Sequence, residues 1–279
     1  MSEFTFSENF SVTEEIKSTF EVDGYIIIKS VFSQEELIKI QTAIGAKGGV
    51  REHAYDLDDG AGLKSKMALW NHPGDDVTGM VGKCEKVAGT MEKLLGGEIY
   101  HYHSKLMMKE AKTGGQFVWH QDYGYWYNNG CLFPNMGSVM IAIDKCDSEN
   151  GCLQVIKGSH KLGRIDHVNV ADQVMADPVR LEEVKKHLPL EYASLDPGDA
   201  IFFHCNVLHR SDQNRSDRRR WVFICSYNRA DNNPYFEHHH PLYTPLKKVS
   251  NDAILTCKNV SDFTGKWFVE KSDNKTLSR

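Results

Sequence analysis

From Glu98 onward the sequence is cut into short apolar runs by Gly, Asn, Asp and Pro, and this punctuation limits the fold more than any other feature. The runs Ile99–Met108, Gln116–His120, Ser138–Asp144, Leu153–Ile156, Ala200–His204 and Trp221–Tyr227 read as strands. Between them stand Gly114-Gly115, Asn128-Asn129-Gly130, Glu149-Asn150-Gly151, Asp196-Pro197-Gly198-Asp199 and Asp231-Asn232-Asn233-Pro234, all turn-forming. Many short strands separated in this way build a sandwich or a double-sheet jelly roll. Asp172 to His187 reads as a helix crossing between strands.

The first third has another texture, helical with one strand. Ser11 to Phe20 carries helical spacing, and Gly24-Tyr25-Ile26-Ile27-Ile28 is a compact β-branched run that fits a buried strand. Ser33 followed by Glu36 is a capping box, opening a helix through about Ala46 with Leu37, Ile40 and Ile44 on its apolar side. Asp75 to Leu95 predicts a second long helix, ended by Gly96-Gly97. The expectation is mainly β with flanking α: one domain over 1–279, mainly helical over residues 1–97, with a jelly-roll core over 98–249 and a C-terminal extension over 250–279.

Composition removes several alternatives. The chain is 41% apolar and 25% charged over 279 residues, too rich in large apolar side chains for disorder. No apolar run is long enough for a transmembrane helix. Met1 to Val12 is acidic and aromatic, unlike a signal or transit peptide, and Leu277-Ser278-Arg279 is not the short peroxisomal address. A net charge of -5 argues against nucleic acid, which needs a basic face. Seven cysteines, odd in number and never spaced as CxxC, fit reduced thiols and a cytoplasmic protein without a structural zinc site.

Chemistry concentrates at Trp119-His120-Gln121-Asp122. At strand spacing His120 and Asp122 point to one side, so an imidazole nitrogen and a carboxylate oxygen can meet at one point. A second histidine from a distant strand would complete a two-His-one-carboxylate triad, which leaves iron(II) with open positions. An isolated HxD is also met in capped turns, so the downstream sequence matters. There His204 precedes Arg215 by the spacing at which His209 precedes Arg220. Either pair could supply a metal ligand and a cation for a keto acid's distal carboxylate, which arginine binds in two-point fashion. Arg215 lies in a polar turn, whereas Arg220 starts an alternating strand, which favours His209 with Arg220. Arg218 and Arg219 read as a solvated basic loop, although Arg218 is the alternative to Arg220 for the keto acid.

These residues, together with Glu149-Asn150-Gly151-Cys152-Leu153, Gly158-Ser159-His160, Pro197-Gly198-Asp199 and the His209, Ser211, Asn214, Ser216, Arg220 series, resemble the phytanoyl-CoA dioxygenase family, which includes ectoine hydroxylase. The resemblance runs from about Gly24 to Val249. It implies a cupin-like double-stranded β-helix covered by N-terminal helices, holding iron(II) through His120, Asp122 and His209. It further implies 2-oxoglutarate as cosubstrate, bound at Arg220 and Ser211, with O2 consumed and succinate and CO2 released as a substrate is hydroxylated. Other contacts to the keto acid are implied from the segment His103 to Lys109 and from the strand of Met140, which brings Met107 and Met140 into the set.

The substrate is expected to be small and polar or cationic. Tyr123-Gly124-Tyr125-Trp126-Tyr127 follows the metal motif, and continued strand alternation would put Trp126 on the metal side, with Tyr123 and Tyr125 beside it. Such an aromatic wall attracts an ammonium group by about 0.5–2 kcal/mol per good contact. His238, in the run His238-His239-His240, is expected to touch substrate. Two other functions compete: an acyl-CoA hydroxylase of the same chemistry, and a catalytically silent cupin-like binding protein. A zinc hydrolase is disfavoured because it gives Arg220 no work.

Overall fold

The computed structural model describes residues 2–273. In chain order the elements are β1 (Glu3–Thr5), α1 (Glu14–Asp23), β2 (Tyr25–Lys29), α2 (Gln34–Gly45), β3 (Tyr55–Asp58), β4 (Lys64–Asn71), α3 (Val77–Lys83), α4 (Thr90–Leu95) and β5 (Ile99–Lys109). There follow β6 (Phe117–His120), α5 (Asp122–Trp126), β7 (Met136–Ala142), β8 (Leu153–Ile156), β9 (His167–Val170), β10 (Gln173–Ala176), α6 (Pro178–His187) and β11 (Leu190–Ala193). The last are β12 (Ala200–His204), β13 (His209–Ser211), β14 (Arg220–Arg229), α7 (Ala253–Thr256) and β15 (Trp267–Phe268).

Two sheets face each other, as the short strands predict. The larger runs β1-β2-β12-β7-β14-β5-β4-β15 with β3 added on β4, and the smaller runs β11-β8-β13-β6. Apart from the parallel β1–β2 pair, neighbours in both are antiparallel. Strand alternation sorts the large sheet's side chains into two layers. Ile26, Ile28, Leu106, Val139, Phe202 and Phe223 pack outward against Phe20, Leu37, Ile40, Val81 and Met91 of the helices. Ile27, Met107, Met140, Phe203 and Val222 pack inward with Leu153, Val155 and Leu195 near the small sheet. A sheet covered on both faces needs apolar residues at every position, which is why Tyr25 to Ile28 reads as an unbroken run. The result is a double-stranded β-helix with a helical layer on one side.

Several local expectations hold. The capping box closes α2, with the Ser33 N–H donating to Glu36 Oε2 (2.8 Å) and the Glu36 N–H to Ser33 Oγ (3.3 Å). Gly24 ends α1 at φ +82°, a left-handed cap that glycine takes without strain.

Three segments differ from the reading of the sequence. The first third is not helical with one strand, since β1, β3 and β4 also lie there. The helix expected over Asp75 to Leu95 is broken at Cys84, which is extended (φ -67°, ψ 148°). The cause is tertiary: Val249 slots in beside Cys84, its N–H donating to Lys83 O (3.0 Å) while its carbonyl accepts from the Glu85 N–H (3.0 Å). In the crossing segment Asp172 to His187 the helix starts only at Pro178, capped by Asp177, and the residues before it form β10. Proline at the first helical position marked that start.

Residue 1 and residues 274–279, which include Leu277-Ser278-Arg279 and both ends of the expected 1–279 domain, lie outside the described residues. Among the described residues, no helix is long and apolar enough to cross a membrane.

Candidate metal centre and pocket

β6 and β13 are neighbours in the small sheet, with His120 directly opposite His209. Each ring is oriented by its own backbone: His120 Nδ1 lies 2.7 Å from Val118 O and His209 Nδ1 lies 2.9 Å from Val207 O. A carbonyl only accepts, so both Nδ1 atoms carry the proton and both Nε2 atoms present lone pairs. Burial pushes both imidazoles below their ordinary pKa, which keeps them neutral and fit to ligate.

Asp122 arrives differently from the expectation. The strand ends at His120 and the chain turns into α5, whose first residue is Asp122. The Tyr123 N–H donates to Cys205 O (3.0 Å), and His167 Nε2 accepts the Gln121 N–H (3.0 Å), pinning the turn. Gly124 is required here, because a Cβ would stand 2.3 Å from the His167 ring. The turn sets Asp122 Oδ1 3.8 Å from His120 Nε2 and 3.9 Å from His209 Nε2. All three side chains are buried, and their donor atoms lie within 4.8 Å of one another. These separations are too long for hydrogen bonds. Two lone pairs and a carboxylate oxygen around one gap form a donor set for a divalent cation.

The second carboxylate oxygen is occupied. Ser138 Oγ–H donates to Asp122 Oδ2 (2.8 Å), and since that uses its only proton, Ser226 donates to Ser138 (2.9 Å).

The three donors line a cavity of about 110 Å³ between the sheets. One strand face supplies much of its wall: His103, Lys105, Met107 and Lys109 alternate along β5, and all four reach the cavity. Across the ladder Lys109 pairs with Arg220, Met107 with Val222 and Lys105 with Ile224, while Ile224 in turn pairs with Met140.

One end of this cavity is strongly cationic. Arg220 is 3% exposed and donates from Nε (3.1 Å) and Nη2 to Gly151 O. Lys109 is 1% exposed, and its Nζ donates to Ser211 Oγ (2.7 Å) and to the Asp212 carbonyl. Among the described residues, no carboxylate lies within ion-pair distance of either. Burial is the main cause lowering both pKa values, and for Lys109 the neighbouring Arg220 adds to it. Two adjacent buried cations without a counter-charge are unfavourable until an anion joins them.

Most of the expected site residues meet in this cavity: His120, Asp122, His209, Arg220, Ser211, Met107, Met140, Trp126 and Tyr125. Trp126 gets there by a helical turn, four residues after Asp122, and not by strand alternation. Tyr123 does not reach it; that side chain packs with Tyr100, Tyr102 and Cys131 and donates its hydroxyl to Cys131 O (2.9 Å). His238 does not either. Its Nδ1 accepts the His240 N–H (3.1 Å), and His240 lines the cavity in its place. His204 lies apart beside His160. Arg218 is on the surface, paired with Asp147 (2.6 Å) and Glu149 (3.4 Å). Sequence reading pointed to the segment His103 to Lys109 but not to Lys105, Lys109 or His103 as individual residues. The i, i+2 spacing from His103 through Lys109 was the available signal.

A double-stranded β-helix with a His-Asp-His cluster in its mouth and a cationic floor defines the class of iron oxygenases with a keto-acid cosubstrate. The phytanoyl-CoA dioxygenase family profile matches residues 20–222, and the chain belongs to that family of iron(II)- and 2-oxoglutarate-dependent dioxygenases. Among its relatives, an L-proline trans-4-hydroxylase of Streptomyces griseoviridis is 29% identical, over 83% of this chain and 90% of that protein. An ectoine dioxygenase of Stutzerimonas stutzeri is 28% identical, over 81% of this chain and 80% of that one. The crystal structure of EctD from S. alaskensis with bound Fe superposes with TM-score 0.71 at 20% identity, over 88% of this chain and 90% of the other, a likeness of fold.

Proposed function

We propose that this chain hydroxylates a small polar organic molecule, with iron(II) held by His120, Asp122 and His209 and the distal carboxylate of 2-oxoglutarate held by Arg220, Ser211 and Lys109. The observation that carries the reading is the pairing of two features in one cavity: three converging donor atoms, and a buried cationic pole without a protein counter-charge. When bound, iron(II) and 2-oxoglutarate supply an oxidative decarboxylation that consumes O2, yields succinate and CO2, and places one oxygen atom in a substrate C–H bond.

The protein's own work is positioning. Val118 and Val207 carbonyls fix the imidazole tautomers, and Ser138 leaves one Asp122 oxygen for the metal. Met107 and Met140 give the keto acid an apolar wall, which strengthens its charged contacts at Arg220. Trp126 and Tyr125 wall the substrate side. Seven unpaired thiols support a reducing compartment, the cytoplasm, and the net charge of -5 supports a small-molecule partner over nucleic acid.

Succinate release is the direct test. It is expected to require added iron(II), 2-oxoglutarate and O2, to cease with a chelator and to return with iron(II). Anaerobic addition of iron(II) and 2-oxoglutarate is expected to give a visible metal-to-ligand charge-transfer band. Neither signal would appear in a silent binding protein, and a zinc hydrolase would turn over without O2.

Ser138→Ala is expected to weaken iron(II) binding by about 10- to 100-fold, the range for groups that orient a metal ligand. Iron titration followed by the charge-transfer band measures this. Unchanged affinity would show that the Ser138 contact does not govern the carboxylate.

A further inference from the structure

Among the described residues lining this cavity, the proposed reaction leaves two cations without work, Arg210 and Lys105, and of these Arg210 is already paired with Asp212. Lys105 sits on the same β5 face as Lys109, four residues away, or about 13 Å at the rise of an extended strand. Arg220, Lys109 and Ser211 are all at the other end. Lys105 makes no hydrogen bond and no ion pair among the described residues, and it lines the same cavity as Asp122, His120 and His209 and as His103, two residues before it on the β5 face, and His240. It therefore shares the cavity with the metal donors and with a wall of histidine, His103 and His240.

That wall is also incomplete. His103 is 1% exposed and lines the cavity, yet both of its ring nitrogens lack a partner. The orientation of His240 can be read from its neighbours. Asn71 Nδ2 donates to His239 O (2.6 Å), so its Oδ1 faces His240 Nδ1 at 2.8 Å and must accept a proton from it. His240 Nε2 is then a lone-pair acceptor. The rings of His103 and His240 are 4.5 Å apart, and Trp126 stands edge-on to His103 at 5.7 Å.

Neither end of 2-oxoglutarate would fall to these groups. In the proposed reading, one carboxylate would be held at the Arg220 pole and the other would go to the metal. Asp122 is committed to the metal as well. What remains is an ammonium without an anion among the described residues, beside the unpartnered ring nitrogens of His103 and the lone pair of His240 Nε2, on an aromatic wall.

We infer that the substrate is a compact zwitterion of the free amino acid type, its carboxylate held by Lys105 and its N–H groups received by His240 and His103 beside Trp126. The inference rests on the oxygenase reading of the site. It narrows the cationic substrate expected from the aromatics, because a molecule with positive charge alone would face the Lys105 ammonium. It also excludes substrates whose carboxyl group is masked as an amide or a thioester.

The test uses the iron(II)- and 2-oxoglutarate-loaded protein under anaerobic conditions. Free L-amino acids, L-proline among them, are titrated by calorimetry, each against its carboxamide, and succinate release is then measured in air with the same compounds. At least one amino acid is expected to bind and to stimulate succinate release at least about tenfold better than its carboxamide. Lys105→Met is expected to remove that preference while the charge-transfer band with 2-oxoglutarate persists, and Lys105→Arg to restore some of it. The band also reports that the variant is folded. If amino acids and carboxamides perform alike, or Lys105→Met binds amino acids as the parent does, the inference falls while the oxygenase reading stands. If Lys105→Met loses the band and regains it only at raised 2-oxoglutarate, Lys105 serves the cosubstrate and the inference falls too. Failure of the oxygenase reading looks different: the parent protein itself would give neither band nor iron-dependent succinate.

Discussion

Asp122→Ala is expected to reduce iron- and 2-oxoglutarate-dependent succinate formation by more than about 10²-fold, beyond the losses seen when only a supporting group of a metal site is removed. The carboxylate is the single anionic donor of the cluster, so its loss removes a ligand and the charge that offsets a divalent ion. The two imidazoles remain, held by Val118 and Val207, but two neutral ligands from neighbouring strands leave the metal's third protein position to water. The fold should tolerate the change. Asp122 joins no carboxylate–cation ion pair within 4 Å, and Ser138 keeps its hydrogen bond with Ser226 when Asp122 is removed. Melting with and without iron(II) separates the effects: the metal-free transition stays near that of the parent, while the upward shift produced by iron(II) disappears. Parent-level turnover in Asp122→Ala would overturn the ligand assignment.

Arg220→Ala is expected to act on the cosubstrate instead. Truncating one partner of a buried, hydrogen-bonded charge pair costs about 2–5 kcal/mol. That corresponds to at least about a 30-fold rise in the concentration of 2-oxoglutarate needed. Arg220→Lys should recover little, because an ammonium lacks the planar fork and Lys109 already supplies a point charge beside it. Without cosubstrate the prediction reverses. Arg220 and Lys109 are like charges buried side by side with only carbonyl and hydroxyl partners, so removing one relieves repulsion and desolvation. Arg220→Ala should therefore melt no lower than the parent in the absence of 2-oxoglutarate, and lose the stabilisation that 2-oxoglutarate confers. A variant that melts much lower without cosubstrate and still binds it normally would make Arg220 a structural residue.

The β architecture was legible because turn residues and apolar runs alternate so regularly after Glu98. Leu153–Ile156 and Ala200–His204 fall within the expected bounds, and the capping box on α2 is a local device that tertiary structure does not disturb. What escaped depends on distant chain. The break at Cys84 is made by Val249, which no local window contains. β4 begins with the alternating Lys64 and Lys66 and then becomes uniformly buried, a pattern overlooked in a region read as helical. In the site, the metal donors carried a spacing signal and Arg220 a strand pattern. Tyr123 and Tyr125 could not be told apart by alternation, and only Tyr125 lines the cavity, since the backbone turns helical at Asp122 and changes the period from two to nearly four. Lys105 and Lys109 sit in a strand rich in histidine and methionine, where a sequence does not reveal which cations have lost water and which lack a partner.

The alternating face of β5 makes two recognition tasks independently adjustable. In the proposed reading, positions 103 and 105 serve the substrate end and position 109 the keto-acid end, with Met107 as an apolar spacer along the same cavity wall. Because the sheet fixes the interval between them, exchanging side chains at the first two positions should, on that reading, change which molecule is oxidised without moving the groups that hold the cosubstrate. Diversity in such a scaffold can accumulate at one end of a strand while the other end is kept, and a designer seeking a new hydroxylation would begin with those two residues.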